Sequence, residues 1–137
     1  MQNNDKNPSF SMPIILLRLE GFVCFLLSLY LFYSIQGSWW LFMATFFIPD
    51  LSLMGYLIDT KKGAIVYNMI HTEIGPVLLY GCSVIFSMPI LLQLALIWFC
   101  HINVDRMLGL GLKYSSDFKR THLGFISFGN YLKKRVF

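Results

Sequence analysis

Charge is scarce in this sequence: Asp, Glu, Lys and Arg make up 13% of its 137 residues, against about 25% in an ordinary soluble domain. Hydrophobic residues make up 56%, and the mean hydropathy is +0.61. The shortage of charge excludes a soluble globular domain and an intrinsically disordered chain. It indicates a protein that crosses the lipid bilayer several times and has no nucleic acid partner.

Cysteine is also scarce. Cys24, Cys82 and Cys100 each lie inside an apolar run, and none is part of a CxxC motif. Three is an odd number, so neither a disulfide framework nor a zinc-thiolate site is predicted, and we interpret these residues as small buried hydrophobes. The sequence also has no Ala-x-Ala-like cleavage site after its first apolar run, so no cleavable signal peptide is expected.

The apolar residues are grouped in runs long enough for a helix to cross the ~30 Å hydrocarbon core of a bilayer. The four predicted spans are 14–35, 39–58, 64–86 and 89–108. Residues 109–137 are too polar to span and end in aromatic and basic residues, a pattern typical of an interfacial amphipathic tail on anionic lipid. We therefore predict one all-α membrane domain over 1–137, a four-helix bundle with an interfacial tail.

Lys and Arg are absent from the loops at 36–38 and 87–88. All 11 fall in the N-terminal tail and the first turns of span one, in the loop at 59–63, or from Arg106 onward. With four spans these basic segments lie on one side of the membrane, which the positive-inside rule assigns to the cytoplasm. This distribution predicts a multi-pass protein of the inner (plasma) membrane with both termini in the cytoplasm.

Ionisable residues nevertheless occur inside the predicted spans. His101 and Asp105 are four residues apart, so they share one face of a helix. Asp50 and His71 lie about 12 Å from the predicted cytoplasmic helix ends, and the other two lie about 3–11 Å from them. Because such groups cost at least ~2.5–3.5 kcal/mol in hydrocarbon, we predict a shared polar cavity open to the cytoplasm. The alternative is a set of separate interhelical hydrogen bonds, each worth about 0.6 kcal/mol.

The four residues are two imidazoles and two carboxylates, a ligand set that suits zinc, manganese or iron. A divalent cation would neutralise the carboxylates and explain why several charged groups are tolerated together. Asp50, His71, His101 and Asp105 are therefore the candidate metal ligands. Glu20 in span one and Glu73 in span three are the candidate general bases for a metal-bound water. A pair of histidines satisfied by hydrogen bonds, without metal, is the alternative.

Further polar residues surround this layer. Tyr67 and Asn68 fall on the same helical face as His71 and are candidates for substrate binding. A positively charged group at the cavity mouth suits an anionic lipid or a phosphate-bearing substrate. Its members are Arg106, Lys113, Lys119 and His122. The alternative is that these residues only reflect the positive-inside bias.

Several segments together resemble a family of small bacterial membrane proteins known as a domain of unknown function, DUF4260. The similarity runs from Arg18 to Gly124, and the resemblance implies no activity. The segments are Leu17–Gly21, Trp39–Trp40, Pro49–Tyr56, Tyr67–Thr72, His101–Tyr114 and Phe118–Gly124. More remotely, the Pro-Asp element and the later His and Thr-His elements are similar to membrane-bound metal-dependent hydrolases of the YdjM type, although the chain lacks their fuller His-Arg and Thr-His-Ser pattern.

Three functions remain open. The first is a metal-dependent intramembrane hydrolase acting on a lipid or phosphoester at the inner leaflet. The second is a non-catalytic membrane protein whose polar cluster binds a lipid, a metal or a partner. The third is a proton-linked transporter of small solutes, which with only four spans would require a homo-oligomer.

The topology can be tested by labelling single cysteines in intact cells, with Cys24, Cys82 and Cys100 replaced by alanine. A cysteine at Ser38 is expected to react with an impermeant reagent because the loop at 36–38 is predicted to face outward. A cysteine at Thr60 should react only after the cells are permeabilised. The reverse pattern would invert the topology and place the polar layer in the outer leaflet.

Overall fold

Helix α5, which runs from Pro89 to Leu108, is the element against which α1 and α4 pack. The structure is a computed structural model and describes residues 11–115 and 117–125. Within this part of the chain the helices are α1 (Met12–Ser34), α2 (Trp39–Thr45), a 3₁₀ helix (Ile48–Leu57), α3 (Thr60–His71), α4 (Ile74–Ile85) and α5. The predicted all-α membrane bundle is confirmed.

Helices α1 and α5 approach each other closely at Gly21. A Cβ atom there would lie 3.0 Å from the Arg106 Cβ and 3.1 Å from the Asn103 carbonyl oxygen, so a larger residue would push the helices apart. Small residues at helix contacts are typical of membrane bundles, where close van der Waals packing replaces the hydrophobic effect as the driving force. This contact places the C-terminal half of α5 against α1.

Three segments of the described chain are long and apolar enough to cross a membrane: Met12–Ser34, Trp39–Leu57 and Pro89–Leu108. The second of them carries the predicted kink. Pro49 has no N–H to donate to the carbonyl of Thr45, and α2 ends at Thr45 before the chain resumes as a 3₁₀ helix at Ile48. Asp50 therefore lies in the first turn of a new helix, where its negative charge interacts favourably with the positive end of the helix dipole.

The prediction of one continuous helix over 64–86 is wrong. Helix α3 ends at His71, Thr72 is extended with ψ 146°, and α4 begins at Ile74. The reason is Pro76, which cannot donate to the Thr72 carbonyl and whose ring clashes with it. The sequence indicates a bend there, but the structure has a full break. Each half has 12 residues, about 18 Å, which is shorter than the hydrocarbon core.

The indole of Trp98 on α5 covers this break. Its Nε1 donates a 2.9 Å hydrogen bond to the carbonyl of Ile70, a group left over at the end of α3. The indole also lies flat against Gly75, where a Cβ would come 2.4 Å from Trp98 Cη2. The break is thus fixed in place by α5.

The chain after α5 forms a small antiparallel sheet that the sequence analysis did not predict. Its strands are β1 (Lys113–Tyr114), β2 (Asp117–Thr121) and β3 (Gly124–Phe125), in the order β1-β2-β3. These strands are too short to show the alternation of apolar and polar residues by which a strand is predicted. Residues 126–137, which include the aromatic and basic end of the predicted interfacial tail, lie outside the described residues, and the tail stays a prediction.

The contact at the break predicts the effect of one substitution. Gly75→Ala should lower the thermal unfolding midpoint in detergent, because the new methyl group displaces the indole from Ile70; overpacking of this kind costs about 1–3 kcal/mol. Gly81→Ala is the matched control on α4, since a Cβ at Gly81 meets nothing within 4 Å. Equal effects of the two changes would contradict the assigned role of Gly75.

Candidate metal centre

Four ionisable side chains from three different segments meet near the C-terminal end of α5. Asp50 comes from the 3₁₀ helix, His71 is the last residue of α3, and His101 and Asp105 are one turn apart on α5. One nitrogen or oxygen atom from each lies within 4.8 Å of the others. The structure therefore brings together the four residues that the sequence places at a common depth; we call them the His/Asp cluster.

Four of the six distances within the His/Asp cluster are close to the edges of a tetrahedron, and all six are within 4.8 Å. His71 Nε2 lies 3.4 Å from Asp105 Oδ2 and 3.6 Å from Asp50 Oδ1. His101 Nε2 lies 3.3 Å from Asp50 Oδ1 and 3.7 Å from Asp105 Oδ2. A zinc ion with bonds of about 2.0–2.2 Å to nitrogen and oxygen has tetrahedral edges of about 3.3–3.6 Å. The arrangement could hold one such ion.

Both histidines are buried, and their Nε2 atoms have no hydrogen-bond partner among the described residues. Leaving a buried polar atom unsatisfied costs about 1–3 kcal/mol. The distances to the carboxylate oxygens are longer than an ordinary N–H···O hydrogen bond of 2.7–3.2 Å. Asp50 is the open side of the cluster, because its side chain is 39% exposed whereas that of Asp105 is 13% exposed.

Neighbouring groups orient His71. Its Nδ1 lies 3.0 Å from the carbonyl of Tyr67 and 3.5 Å from the hydroxyl of Ser52. The Tyr67 ring stacks on the imidazole at 3.8 Å. When Nδ1–H donates to the carbonyl, Nε2 carries the lone pair that faces the cluster, the arrangement found around metal-bound histidines. The role of Ser52 was missed; its sequence signal is a hydroxyl two residues beyond Asp50.

His101 is held differently from His71. Its ring packs edge-on against Phe46, with 5.1 Å between the ring centroids, and lies 5.4 Å from the ring of His71. Phe46 lies at the kink between α2 and the 3₁₀ helix, and its ring forms one side of the cluster. No sequence pattern indicated this contact, since 55 residues separate Phe46 from His101.

The two predicted substrate-binding residues on α3 make contacts within the protein. Tyr67 donates from its hydroxyl to Asp105 Oδ2 at 3.3 Å and lies 3.4 Å from the Leu110 carbonyl. Asn68 donates to the Lys113 carbonyl at 2.8 Å and accepts from the Lys113 N–H at 2.7 Å. Tyr67 thus positions a candidate ligand, and Asn68 ties β1 to α3. Substrate binding by either stays a prediction.

Lys113 is a buried cation beside the His/Asp cluster. Its side chain packs over the Tyr67 ring, with Nζ 4.4 Å from the ring centroid, and the residue is 7% exposed. Burial lowers the pKa of Lys113 to about 8, while the charges of Asp105 and Asp50 act in the opposite direction. The ammonium group therefore offsets part of the negative charge of the two carboxylates.

The remaining predicted residues lie around the cluster rather than in it. Glu73 forms an ion pair with Arg106, with 3.0 Å between Oε1 and Nη1. Glu20 is exposed on α1. His122 accepts from the Leu112 N–H at 2.9 Å, and burial lowers the pKa of His122. The side chain of Lys119 lies outside the described ones. The general-base roles of Glu20 and Glu73 stay predictions.

The chain belongs to the family DUF4260, a domain of unknown function, whose model matches residues 14–126. The match includes every member of the His/Asp cluster. The weaker likeness to hydrolases of the YdjM type is not shown. Comparison with curated proteins and with solved structures gives no match to this chain.

The two hydrogen bonds from Asn68 predict a structural role for this side chain. Asn68→Ala should destabilise the protein by about 1–3 kcal/mol and open residues 109–125 to protease, because it leaves the backbone groups of Lys113 unpaired. Met69→Ala, an exposed neighbour on α3, is the control and should change neither measurement. Unchanged stability of Asn68→Ala would instead favour a role in binding substrate alone.

Proposed function

We propose that this protein binds one divalent transition-metal ion, with zinc the first choice, through Asp50, His71, His101 and Asp105. The observation that supports it is the set of four nitrogen-to-oxygen distances of 3.3–3.7 Å around a common centre. Two imidazoles and two carboxylates at tetrahedral spacing suit zinc, whereas manganese favours more oxygen ligands.

Charge balance supports the same proposal. Two carboxylates in a region of low dielectric repel each other, and without a cation one of them has to be protonated. A divalent ion neutralises both carboxylates, so that both can remain ionised, and Lys113 beside them adds a further positive charge when it is protonated. The ion also gives the Nε2 atoms of His71 and His101 the partner that no described residue supplies.

We further propose that the ion serves the hydrolysis of a lipid ester or phosphoester at the cytoplasmic leaflet. Asp50, His71, His101 and Asp105 would hold the ion, and when bound it would supply a water molecule whose pKa is lowered to about 7. Hydrolysis would add the oxygen of that water to the carbonyl carbon or phosphorus, break the ester bond to the leaving oxygen and give a proton to the leaving alcohol. The second carboxylate oxygen of Asp50, whose side chain is 39% exposed, would accept the proton from the water and pass it to the leaving alcohol.

One observation favours a second candidate, a non-catalytic metal site. Four protein ligands that complete a tetrahedron are typical of structural zinc, whereas catalytic sites keep a position for water. In that case the ion would fasten the 3₁₀ helix, α3 and α5 together. The two candidates differ in activity and not in metal content.

The metal is tested by elemental analysis of purified protein. Wild type should carry close to one equivalent of zinc, and His101→Ala and His71→Ala should fall to background. His122→Ala is the matched control, because this imidazole lies outside the His/Asp cluster and its loss should leave the metal in place. After chelation, zinc at 100 times its Kd should restore about 2.7 kcal/mol of stability to wild type. Absence of metal and of any stabilisation would overturn the proposal.

Hydrolysis is tested on the zinc-loaded protein in vesicles of phosphatidic acid and phosphatidylcholine. Release of fatty acid or inorganic phosphate, lost on chelation and in Asp50→Asn, would support the enzyme. Stoichiometric zinc with no release from either lipid would favour the structural site.

A further inference from the structure

An apolar cavity of about 460 Å³ lies beside the His/Asp cluster, between the 3₁₀ helix, α3, α4 and α5. Its volume is within the ~300–1,000 Å³ of pockets that bind small molecules. The cavity exists because two helices are interrupted: the kink before Pro49 and the break after His71 separate segments that continuous helices would bring together.

The lining of this cavity suits hydrocarbon. Thr45 and Ser52 are its only hydroxyl-bearing residues, and the Thr45 hydroxyl already donates to the Leu41 carbonyl at 2.8 Å. The indole N–H of Trp98 is likewise used by the Ile70 carbonyl. A polar ligand would find few partners here, and apolar cavities of this kind exclude water and accept apolar guests.

The cavity and the cluster share a wall. Ser52 lines the cavity and its hydroxyl lies 3.5 Å from His71 Nδ1. Pro49, Ile70 and Ile97 also line it; the first two adjoin Asp50 and His71 in sequence, and Ile97 is one helical turn before His101. Leu94, two turns before His101 on α5, and Leu79 on α4, eight residues beyond His71, also line the cavity. An elongated guest therefore has one end at the cluster and the other deeper in the bundle.

Three residues that line the cavity are exposed at the surface of the bundle. They are Ile48, Leu51 and Val66, and the first two belong to a segment apolar enough to span the membrane. On the predicted topology, Leu79 and Leu94 lie nearer the middle of the bilayer than the cluster does. A lipid of the cytoplasmic leaflet has the same polarity, with its headgroup toward the cytoplasm and its chains inward.

We propose that this cavity binds one hydrocarbon chain of a membrane lipid, with the ester or phosphate end of that lipid at the His/Asp cluster. The assignment of the lipid as the substrate rests on the proposed metal-dependent function. Binding of the chain does not, because no member of the cluster is needed to line the apolar part of the cavity.

Photo-cross-linking tests the proposal. The full-length protein is reconstituted in phosphatidylcholine vesicles that contain a phosphatidic acid with a diazirine at a defined carbon of one chain, and the labelled residues are mapped by mass spectrometry. A diazirine near the carboxyl end should label Ser52 or Ile70. A diazirine near the methyl end should label Leu79 or Leu94. Labels confined to outward-facing residues such as Val23 would overturn the proposal, as would the reverse order along the chain.

Two neighbours on α3 provide matched variants. Val66→Trp places an indole in the cavity mouth and should abolish labelling inside it, whereas Ile65→Trp, also exposed but outside the lining, should leave labelling intact. Both variants should keep the thermal unfolding midpoint of wild type, which shows that they are folded. If Val66→Trp lowers that midpoint, Ile97→Phe, which narrows the interior, replaces it in the comparison. Unchanged labelling of Leu79 and Leu94 in a folded blocking variant would refute the assigned cavity.

The outcomes separate the two proposals. Labelling inside the cavity of a protein that binds no zinc would support the lipid site and overturn the metal function. Zinc binding without labelling inside the cavity would support the metal function and overturn the lipid site. A photoreactive residue at Val66 that joins two copies of the chain, with no lipid label inside, would identify a second copy as the occupant and overturn the lipid proposal.

Discussion

The structure depends on the cost of holding two carboxylates and two imidazoles together in a largely apolar bundle. None of these groups is cheap to bury alone, and the Nε2 atoms of both histidines find no hydrogen-bond partner in the described chain. The cluster forms only where three elements meet, namely the 3₁₀ helix, α3 and α5. A group that balances the charge at this point therefore also holds these three elements together. Tyr67, Ser52 and Lys113 all direct polar atoms or charge toward this point.

Two prolines place the cluster at helix ends. Pro49 ends α2 and puts Asp50 in the first turn of the next helix, and Pro76 ends α3 at His71. Backbone groups at these ends lack helical partners, which leaves carbonyls such as that of Ile70 available to Trp98. Broken helices inside membrane bundles are tolerated where the freed groups are satisfied by protein, and they are frequent at binding sites.

The sequence was sufficient for the parts of this structure that depend on local chemistry. Helical spacing placed His101 with Asp105, and depth below the basic loops placed Asp50 and His71 at the same level. Contacts between residues that are distant in sequence could not be predicted. Asn68 forms hydrogen bonds with the backbone of Lys113, 45 residues away, and Arg106 forms an ion pair with Glu73 at the break between α3 and α4. Pro76 indicated a bend, but the apolar residues on both sides gave no sign that the helix stops. The strands after Gly109 are too short for any periodic pattern.

The same two breaks explain why a charged cluster and an apolar cavity lie side by side. Asp50 follows the kink at Pro49 and His71 ends α3 at the break, and residues on both sides of these two interruptions line the cavity. Trp98 keeps this space open, because its indole is fixed by two contacts. Its N–H donates to the Ile70 carbonyl, and its ring packs against Gly75. Polar and apolar halves that meet at Ser52 match an amphiphilic guest, and the lipid site that we propose lies where the helices of this chain are interrupted.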